Sequence, residues 1–175
     1  MTMARGRLAR ACPRQRGFTM IELMVTLAVL AILLGIGMPA FQEVSLSTTL
    51  RSEANKLAAA AQLARSEAIK SNAVVRICIS SDGATCTSAS GASWENGWIV
   101  IRGSTVLLSQ AVAKDGYRIL SSVSQIDFQP SGVGAGQATL KVCRATPSVG
   151  TQDRQVTISA TGHTSVDKGS SGTCS

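Results

Sequence analysis

Residue types that could perform covalent or metal chemistry are few and scattered in this chain of 175 residues. The only histidine, His163, falls in a predicted turn. The stretch Gly132–Gly136 departs from the G-x-G-x-x-G phosphate loop, since glutamine holds the last glycine position and a strand follows. Ser165 and Lys168 match S-x-x-K by letters, but no helix aligns them. We therefore predict that the chain is not an enzyme and uses no cofactor.

Positive charge is concentrated at the N-terminus. The formal net charge is +7, and five arginines fall within the first sixteen residues: Arg5, Arg7, Arg10, Arg14 and Arg16. The rest of the chain is close to charge balance, so it lacks the broad basic surface typical of nucleic-acid binding. A basic segment ahead of an apolar run is instead typical of a membrane-targeting signal.

An uncharged run of nineteen residues, Leu23–Phe41, follows this basic segment. As a helix it would extend about 28 Å, close to the hydrocarbon thickness of a bilayer, about 30 Å. It is longer than a signal-peptide core, so we expect it to be retained as an anchor. Glu22 precedes the run, where it either lies among lipid headgroups or, as we favour, pairs with a charge from another molecule. Pro39 is expected to kink the helix.

Residues 16–23, reading RGFTMIEL, together with the apolar run and Pro39 resemble the class III signal of type IV pilins and type II secretion pseudopilins. The resemblance implies that a prepilin peptidase cuts after Gly17 and N-methylates Phe18. Glu22 then becomes the fifth mature residue, which in this family pairs with the terminal amine of a neighbouring subunit. The resemblance also implies an inner-membrane, single-pass protein with a periplasmic C-terminal domain, and other pilins as partners.

A long helix must carry this segment. Glycine and proline are absent between Gln42 and Asn72, and we predict one helix from about Met20 to Asn72. Two pairs of opposite charge stand three residues apart, Glu53 with Lys56 and Glu67 with Lys70. Apolar residues recur at steps of three, four or seven and form one stripe: Leu46, Leu50, Leu57, Ala61, Ala64 and Ala68.

Short β-type runs separated by Gly/Ser/Asp clusters follow the helix. They are Val74–Ile79, Trp98–Arg102, Val106–Ala111, Tyr117–Leu120, Ser124–Phe128, Ala138–Arg144 and Arg154–Ala160, with Thr164–Val166 as a possible edge. A helix followed by strands predicts an α+β fold, with the stripe packed on an antiparallel sheet; the resemblance makes this a type IV pilin fold. The predicted parts are a cleaved leader (1–17), a transmembrane half-helix (18–41), an amphipathic half-helix (42–72) and a periplasmic β-rich domain (73–175).

Five cysteines offer either disulfides or a metal site. Cys12 lies in the leader, which leaves four in an oxidising compartment. These four lack the C-x-x-C spacing of zinc sites, so we predict no metal. Three pairings are possible, and we favour Cys78–Cys86 across a turn and Cys143–Cys174 holding the Gly/Ser-rich tail. On the loop-entropy model these contribute about 2.5 and about 3.5 kcal/mol.

Three further fragments resemble the FimT/FimU and GspH group of minor pilins and pseudopilins. Trp94–Val100 resembles the W-x-x-G-W strand start of that group. Residues 126–132 resemble its F-x-P-x-G turn, and 154–162 resemble its C-terminal strand and turn.

One departure from the group concerns nucleic acid. In the DNA-binding members that this chain resembles, a G-R-x-R motif stands at the position where this chain reads Gly162-His163-Thr164-Ser165. Both arginines are missing, and only Arg154 and Lys168 remain nearby, so DNA binding is doubtful.

These observations favour a minor pilin that takes part in type IV pilus assembly as a structural subunit of an initiation or tip complex. Such a subunit would support twitching motility, adhesion or DNA uptake. The first alternative is a GspH-type pseudopilin of a type II secretion system, and the second is a DNA-binding receptor at a pilus tip. A plain single-span envelope protein is a fourth hypothesis.

Overall fold

The computed structural model describes residues 17–89, 91–134, 136–146, 153–169 and 174. The side chains of residues 36–40, 42 and 43 are not among those described. The predicted leader up to residue 16, with Cys12, also lies outside the described residues. Backbone contacts divide the chain into two units, Met1–Gln42 and Glu43–Ser175.

One long helix, α1, runs from Met20 to Ser71, as the spacing of apolar residues predicts. It ends because Asn72 adopts a left-handed conformation (φ 48°), after which the Ala73 N–H donates to the Ala68 carbonyl at 3.3 Å. Among the described residues, no helix is at once long enough and apolar enough to cross a membrane. The transmembrane and amphipathic halves, and a kink at Pro39, stay predictions.

The β strands form two four-stranded antiparallel sheets in the part of the chain that the structure describes. Sheet A has the order β3-β2-β1-β5 and sheet B the order β4-β6-β7-β8. All eight runs expected from sequence are present; two have the predicted bounds and the other six differ by one or two residues at one or both ends. The division into two sheets was not predicted. The strands are β1 Val75–Ile79, β2 Trp98–Arg102, β3 Thr105–Gln110, β4 Tyr117–Ser121, β5 Gln125–Phe128, β6 Ala138–Arg144, β7 Arg154–Ile158 and β8 Thr164–Lys168.

A single hydrophobic core joins the second half of α1 to both sheets. Every member of the predicted stripe is buried, and Ala54 and Ala60 are buried with them. Residues from both sheets complete the core, among them Val75, Val100, Leu140, Val142 and Val156. Because alanine dominates the buried face of α1, the helix backbone can approach the sheets closely.

Three arginines add polar links between α1 and the β domain. The Arg65 Nε donates to the Gly132 carbonyl at 2.9 Å, and the Arg154 Nη2 donates to the Ser47 hydroxyl at 3.0 Å. The Arg102 Nη1 donates to the Glu67 carboxylate at 2.9 Å. Sheet B is thus bonded to α1 through Arg154, and sheet A through Arg102.

The charge pairs on α1 were predicted correctly in one case of two. Lys56 pairs with Glu53 at 2.8 Å. The expected pair of Glu67 with Lys70 is wrong, because Glu67 pairs with Arg102 on strand β2 instead. A guanidinium held on a strand forms a directed hydrogen bond that a flexible lysine does not match.

Candidate functional site

The N-terminal part of α1 presents apolar side chains to its surroundings. Large apolar residues from Phe18 to Leu34 are each at least half exposed, and Phe18 is 79% exposed. A contiguous apolar surface of this kind marks a region that lipid or other protein chains cover. Gly17 and Phe18, the predicted cleavage and methylation residues, are both exposed and precede the first helical residue, Met20.

Glu22, the predicted assembly residue, lies in the first turn of α1. Its backbone N–H donates to the Thr19 hydroxyl at 3.3 Å, so Thr19 caps the helix start. The Glu22 side chain is exposed, and its carboxylate has no hydrogen-bond or ion-pair partner among the described residues. This carboxylate is therefore available to a charge from another molecule.

The F-x-P-x-G turn and the C-terminal turn, far apart in sequence, meet in the fold. Gly132 and Gly162 each end a tight turn with positive φ (77° and 76°). The Gly132 carbonyl oxygen lies where a side chain on Gly162 would begin, so only glycine fits there. The Gly134 N–H also donates to the Ala160 carbonyl at 3.1 Å.

Arg65 from α1 completes this junction, and sequence reasoning missed it. Its Nε donates to the Gly132 carbonyl, and its side chain lies against Gly162. The sequence did hold a signal, since Arg65 directly follows Ala64 of the buried stripe and must lie at the edge of the helix contact.

The tryptophan motif is structural. Trp94 begins a short 3₁₀ helix, Trp94–Asn96, and is 2% exposed. Its indole N–H donates to the Val123 carbonyl at 2.7 Å, and the Glu95 carboxylate accepts from Arg118 at 3.0 Å. The motif therefore joins the start of sheet A to strand β4 and its following turn.

Two disulfides occur, Cys78–Cys86 and Cys143–Cys174, in the arrangement that the sequence favoured. The first closes a loop in which Asp82 accepts hydrogen bonds from the Thr85 hydroxyl and N–H, the Ala84 N–H and the Ser80 hydroxyl. These bonds, first of all that from the Thr85 hydroxyl, hold the pKa of Asp82 well below its usual range. The second ties Cys174 to strand β6.

The other residues that the sequence analysis considered for catalysis or DNA binding do not form a reactive group in the described structure. Ser165 and Lys168 lie three residues apart on strand β8 and so on opposite faces. His163 is exposed, and its backbone N–H donates to the Ser159 hydroxyl. Arg154 bonds to α1 and faces Lys168 in the strand register. Within the described residues, no group of His, Cys, Asp and Glu could hold a metal ion.

Residues 53–162 match the profile of the family described as type II transport protein GspH. The chain belongs to the GspH family. Residues 12–38 also match the prokaryotic N-terminal methylation motif, which spans the predicted cleavage site. No curated protein sequence matches the chain.

Two solved structures resemble this GspH-family chain in fold. The type IV minor pilin FimU of Pseudomonas aeruginosa shares 19% identity at a TM-score of 0.50, covering 67% of this chain and 87% of FimU. The minor pseudopilin EpsH from the type 2 secretion system of Vibrio cholerae shares 14% identity at a TM-score of 0.51, covering 68% of this chain and 96% of EpsH.

These comparisons confirm two predictions. The protein is a type IV pilin-like member of the minor pilin and pseudopilin group, and its α+β architecture is the pilin fold. The GspH family and both similar structures are structural pilins, not enzymes. The likenesses are shared between a pilus subunit and a secretion subunit, so they do not separate these two roles.

Proposed function

We propose that this protein is a minor pilin, a structural subunit that helps to start or cap a type IV pilus. The observation that supports assembly into a pilin filament is the Glu22 carboxylate, which has no partner among the described residues and stands at the start of an exposed apolar helix, inside an N-terminal methylation motif. A carboxylate beside an apolar surface is costly unless a positive charge meets it.

The proposed assembly step rests on the resemblance of this segment to prepilin signals. A prepilin peptidase cuts after Gly17 and methylates the new N-terminus at Phe18, which leaves a positively charged amine. In the filament, Glu22 pairs with the terminal amine of a neighbouring subunit and so sets the axial register between two helices. The exposed apolar side chains from Phe18 to Leu34 then pack against other pilin helices.

Before assembly, the segment 18–41 anchors the protein in the inner membrane. The proposal concerns the whole uncharged run Leu23–Phe41, in which residues 36–40 have no described side chains. The β domain, residues 73–175, is then periplasmic, where both disulfides are stable. We also propose that Pro39 kinks the helix within this segment.

A pseudopilin of a type II secretion system is the second candidate, favoured by the GspH profile match over residues 53–162. The two roles share the cleavage, the anchor and the Glu22 pairing, and differ in the partners. A deletion strain separates them: loss of twitching motility with normal secretion supports the pilus, and the reverse result supports the secretion system.

A DNA receptor at a pilus tip is less well supported. His163, Thr164 and Ser165 stand where DNA-binding members carry the arginine motif, and Arg154 is engaged by Ser47 of α1. A gel shift whose affinity fell steeply with salt would favour this function over the other two.

The first experiment is intact-mass and N-terminal analysis of the protein isolated from its native membrane. We expect a chain that starts at methylated Phe18 and lacks four hydrogens because of two disulfides. A chain that retains Met1 would contradict the pilin mechanism and favour a plain membrane-anchored protein.

A further inference from the structure

A surface cavity of about 520 Å³ lies between the C-terminal part of α1 and the turn before strand β8. Arg65, Ser66, Ile69 and Lys70 contribute from the helix, and residues 162–164 contribute from the turn. The cavity is next to the junction of the two glycine turns, to which the Arg65 side chain is bonded.

The cavity carries positive charge without a compensating acid. Among the described residues that line it, none is Asp or Glu. Lys70 is exposed and has no ion-pair partner in the described part of the chain, because Glu67 pairs with Arg102. The potential in the cavity is therefore positive and favours an anion.

Arg65 is oriented for a bidentate contact. Its Nε is fixed by the Gly132 carbonyl at 2.9 Å, while its two terminal amino groups have no hydrogen-bond partner among the described residues. A guanidinium anchored at one nitrogen loses little conformational entropy when the others bind, and its planar fork matches a carboxylate.

An exposed apolar residue also lines the cavity. Ile69, between the two cations, is 53% exposed. The occupant therefore needs an acidic group together with an apolar surface.

A protein partner satisfies both needs better than a nucleic acid does. Outside its N-terminal arginines the chain is near charge balance, so it offers no extended basic track for phosphates. A short acidic side chain beside an apolar one matches the two cations, Arg65 and Lys70, together with Ile69. Proteins of this family assemble with other pilins, so another pilin subunit is the protein partner that we consider.

We propose that this cavity is a docking site for a carboxylate side chain of a neighbouring pilin subunit, which binds Arg65 and Lys70 while its apolar neighbour covers Ile69. The inference rests on the proposed function only in requiring assembly with other pilins. It holds equally for a pilus and for a secretion pseudopilus.

The test places a photo-cross-linking amino acid at Gln62, an exposed residue that lines the cavity, in the full-length protein in its native membrane. We expect a covalent product with one pilin or pseudopilin, through a peptide that contains Asp or Glu. Adding Lys70→Glu should lower the yield at least about fivefold, since an attraction becomes a repulsion. Arg65 is not substituted, because it also holds the Gly132 turn.

The matched control is Lys114→Glu, the same charge change at an exposed residue that does not line the cavity. It should leave the yield unchanged. Changing the cross-linked acid of the partner to lysine should recover part of the product in the Lys70→Glu protein, because the new carboxylate attracts it while Arg65 still repels it. A merely structural effect of the substitution would give no recovery.

Three results would overturn the proposal: a product with no pilin, a pilin product insensitive to Lys70→Glu, or a product containing nucleic acid or phospholipid. Failure of the pilus function is read separately, from twitching and secretion. A secretion-only phenotype with a charge-dependent pseudopilin cross-link would leave the cavity assignment intact.

Discussion

Single carboxylates in this protein have opposite roles, which their surroundings determine. Glu22 is exposed and unpaired in the described structure, whereas Asp82 accepts hydrogen bonds from three neighbouring residues in the Cys78–Cys86 loop. The first is suited to meeting another molecule, and the second organises its own loop. The sequence predicted the first role from position alone; the second depends on backbone geometry that no spacing rule reveals.

Asp82→Asn should lower the melting temperature at neutral pH, and it should make the melting temperature of the variant depend less on pH in the acidic range. Because folding depresses the pKa of Asp82, its contribution is fully present above the unfolded value, about 3.9, and is lost as pH falls below it. The difference between wild type and variant should therefore narrow steadily below about pH 4. Thermal unfolding of the full-length protein in detergent, from pH 7 to pH 2.5, measures this.

Asp115→Asn is the control, because Asp115 is exposed and has no side-chain hydrogen bond among the described residues. It should follow the wild-type profile. A wild-type to Asp82→Asn difference that stays constant down to pH 2.5 would contradict the prediction.

Trp94→Phe should lower the free energy of unfolding by about 1–3 kcal/mol, because the Val123 carbonyl loses the indole donor. Trp98→Phe is the comparison: Trp98 is also buried, but its indole N–H has no hydrogen-bond partner in the described structure. Denaturant unfolding of both variants measures the difference. Equal losses would mean that the hydrogen bond contributes nothing beyond packing.

At the scale of helices and strands, the local sequence pattern predicted the long helix but not the division of the strands into two sheets. The apolar spacing predicted α1 and its buried stripe because a helical period is set by residues close in sequence. The division into two sheets was missed, because it depends on which strands pair over long distances: β1 pairs with β5, and β4 pairs with β6. Arg65 was missed for the same reason, since its partner Gly132 lies sixty-seven residues away.

Ala60→Leu should destabilise the protein by about 1–3 kcal/mol, because Ala60 is fully buried where α1 meets the core. Ala59→Leu makes the same chemical change at the preceding residue, which is exposed, and should change stability by less than about 0.5 kcal/mol. Denaturant midpoints of the two variants give the comparison. A similar loss for both would mean that the close approach of α1 to the sheets is not the cause.

At the scale of the whole molecule, we expect the N-terminal segment and the β domain to have separate roles. The family match over residues 53–162 and the methylation motif at 12–38 fall on different parts of the chain. A substitution in the N-terminal segment should therefore alter assembly without altering the fold of the β domain. The N-terminal residues could be named from the sequence because the processing motif is local, and their roles in cleavage, methylation and assembly stay predictions.

Glu22→Ala should leave folding and cleavage intact and reduce incorporation into filaments. The carboxylate makes no contact within the described chain, so its loss costs the folded domain nothing. Immunoblots of sheared filaments and of the membrane fraction measure incorporation and supply. Glu22→Gln keeps the size of the side chain and removes its charge, so it tests whether the charge is needed. Normal incorporation of either variant would contradict pairing with a terminal amine.

The three arginine links between α1 and the β domain have a mechanical consequence. The links at Ser47, Arg65 and Glu67 hold the second half of α1 to both sheets and to the Gly132 turn. A load that displaces this part of α1 is therefore shared among several hydrogen bonds. Rupture requires several bonds to break together, which makes the junction stronger under pulling than any one of its contacts.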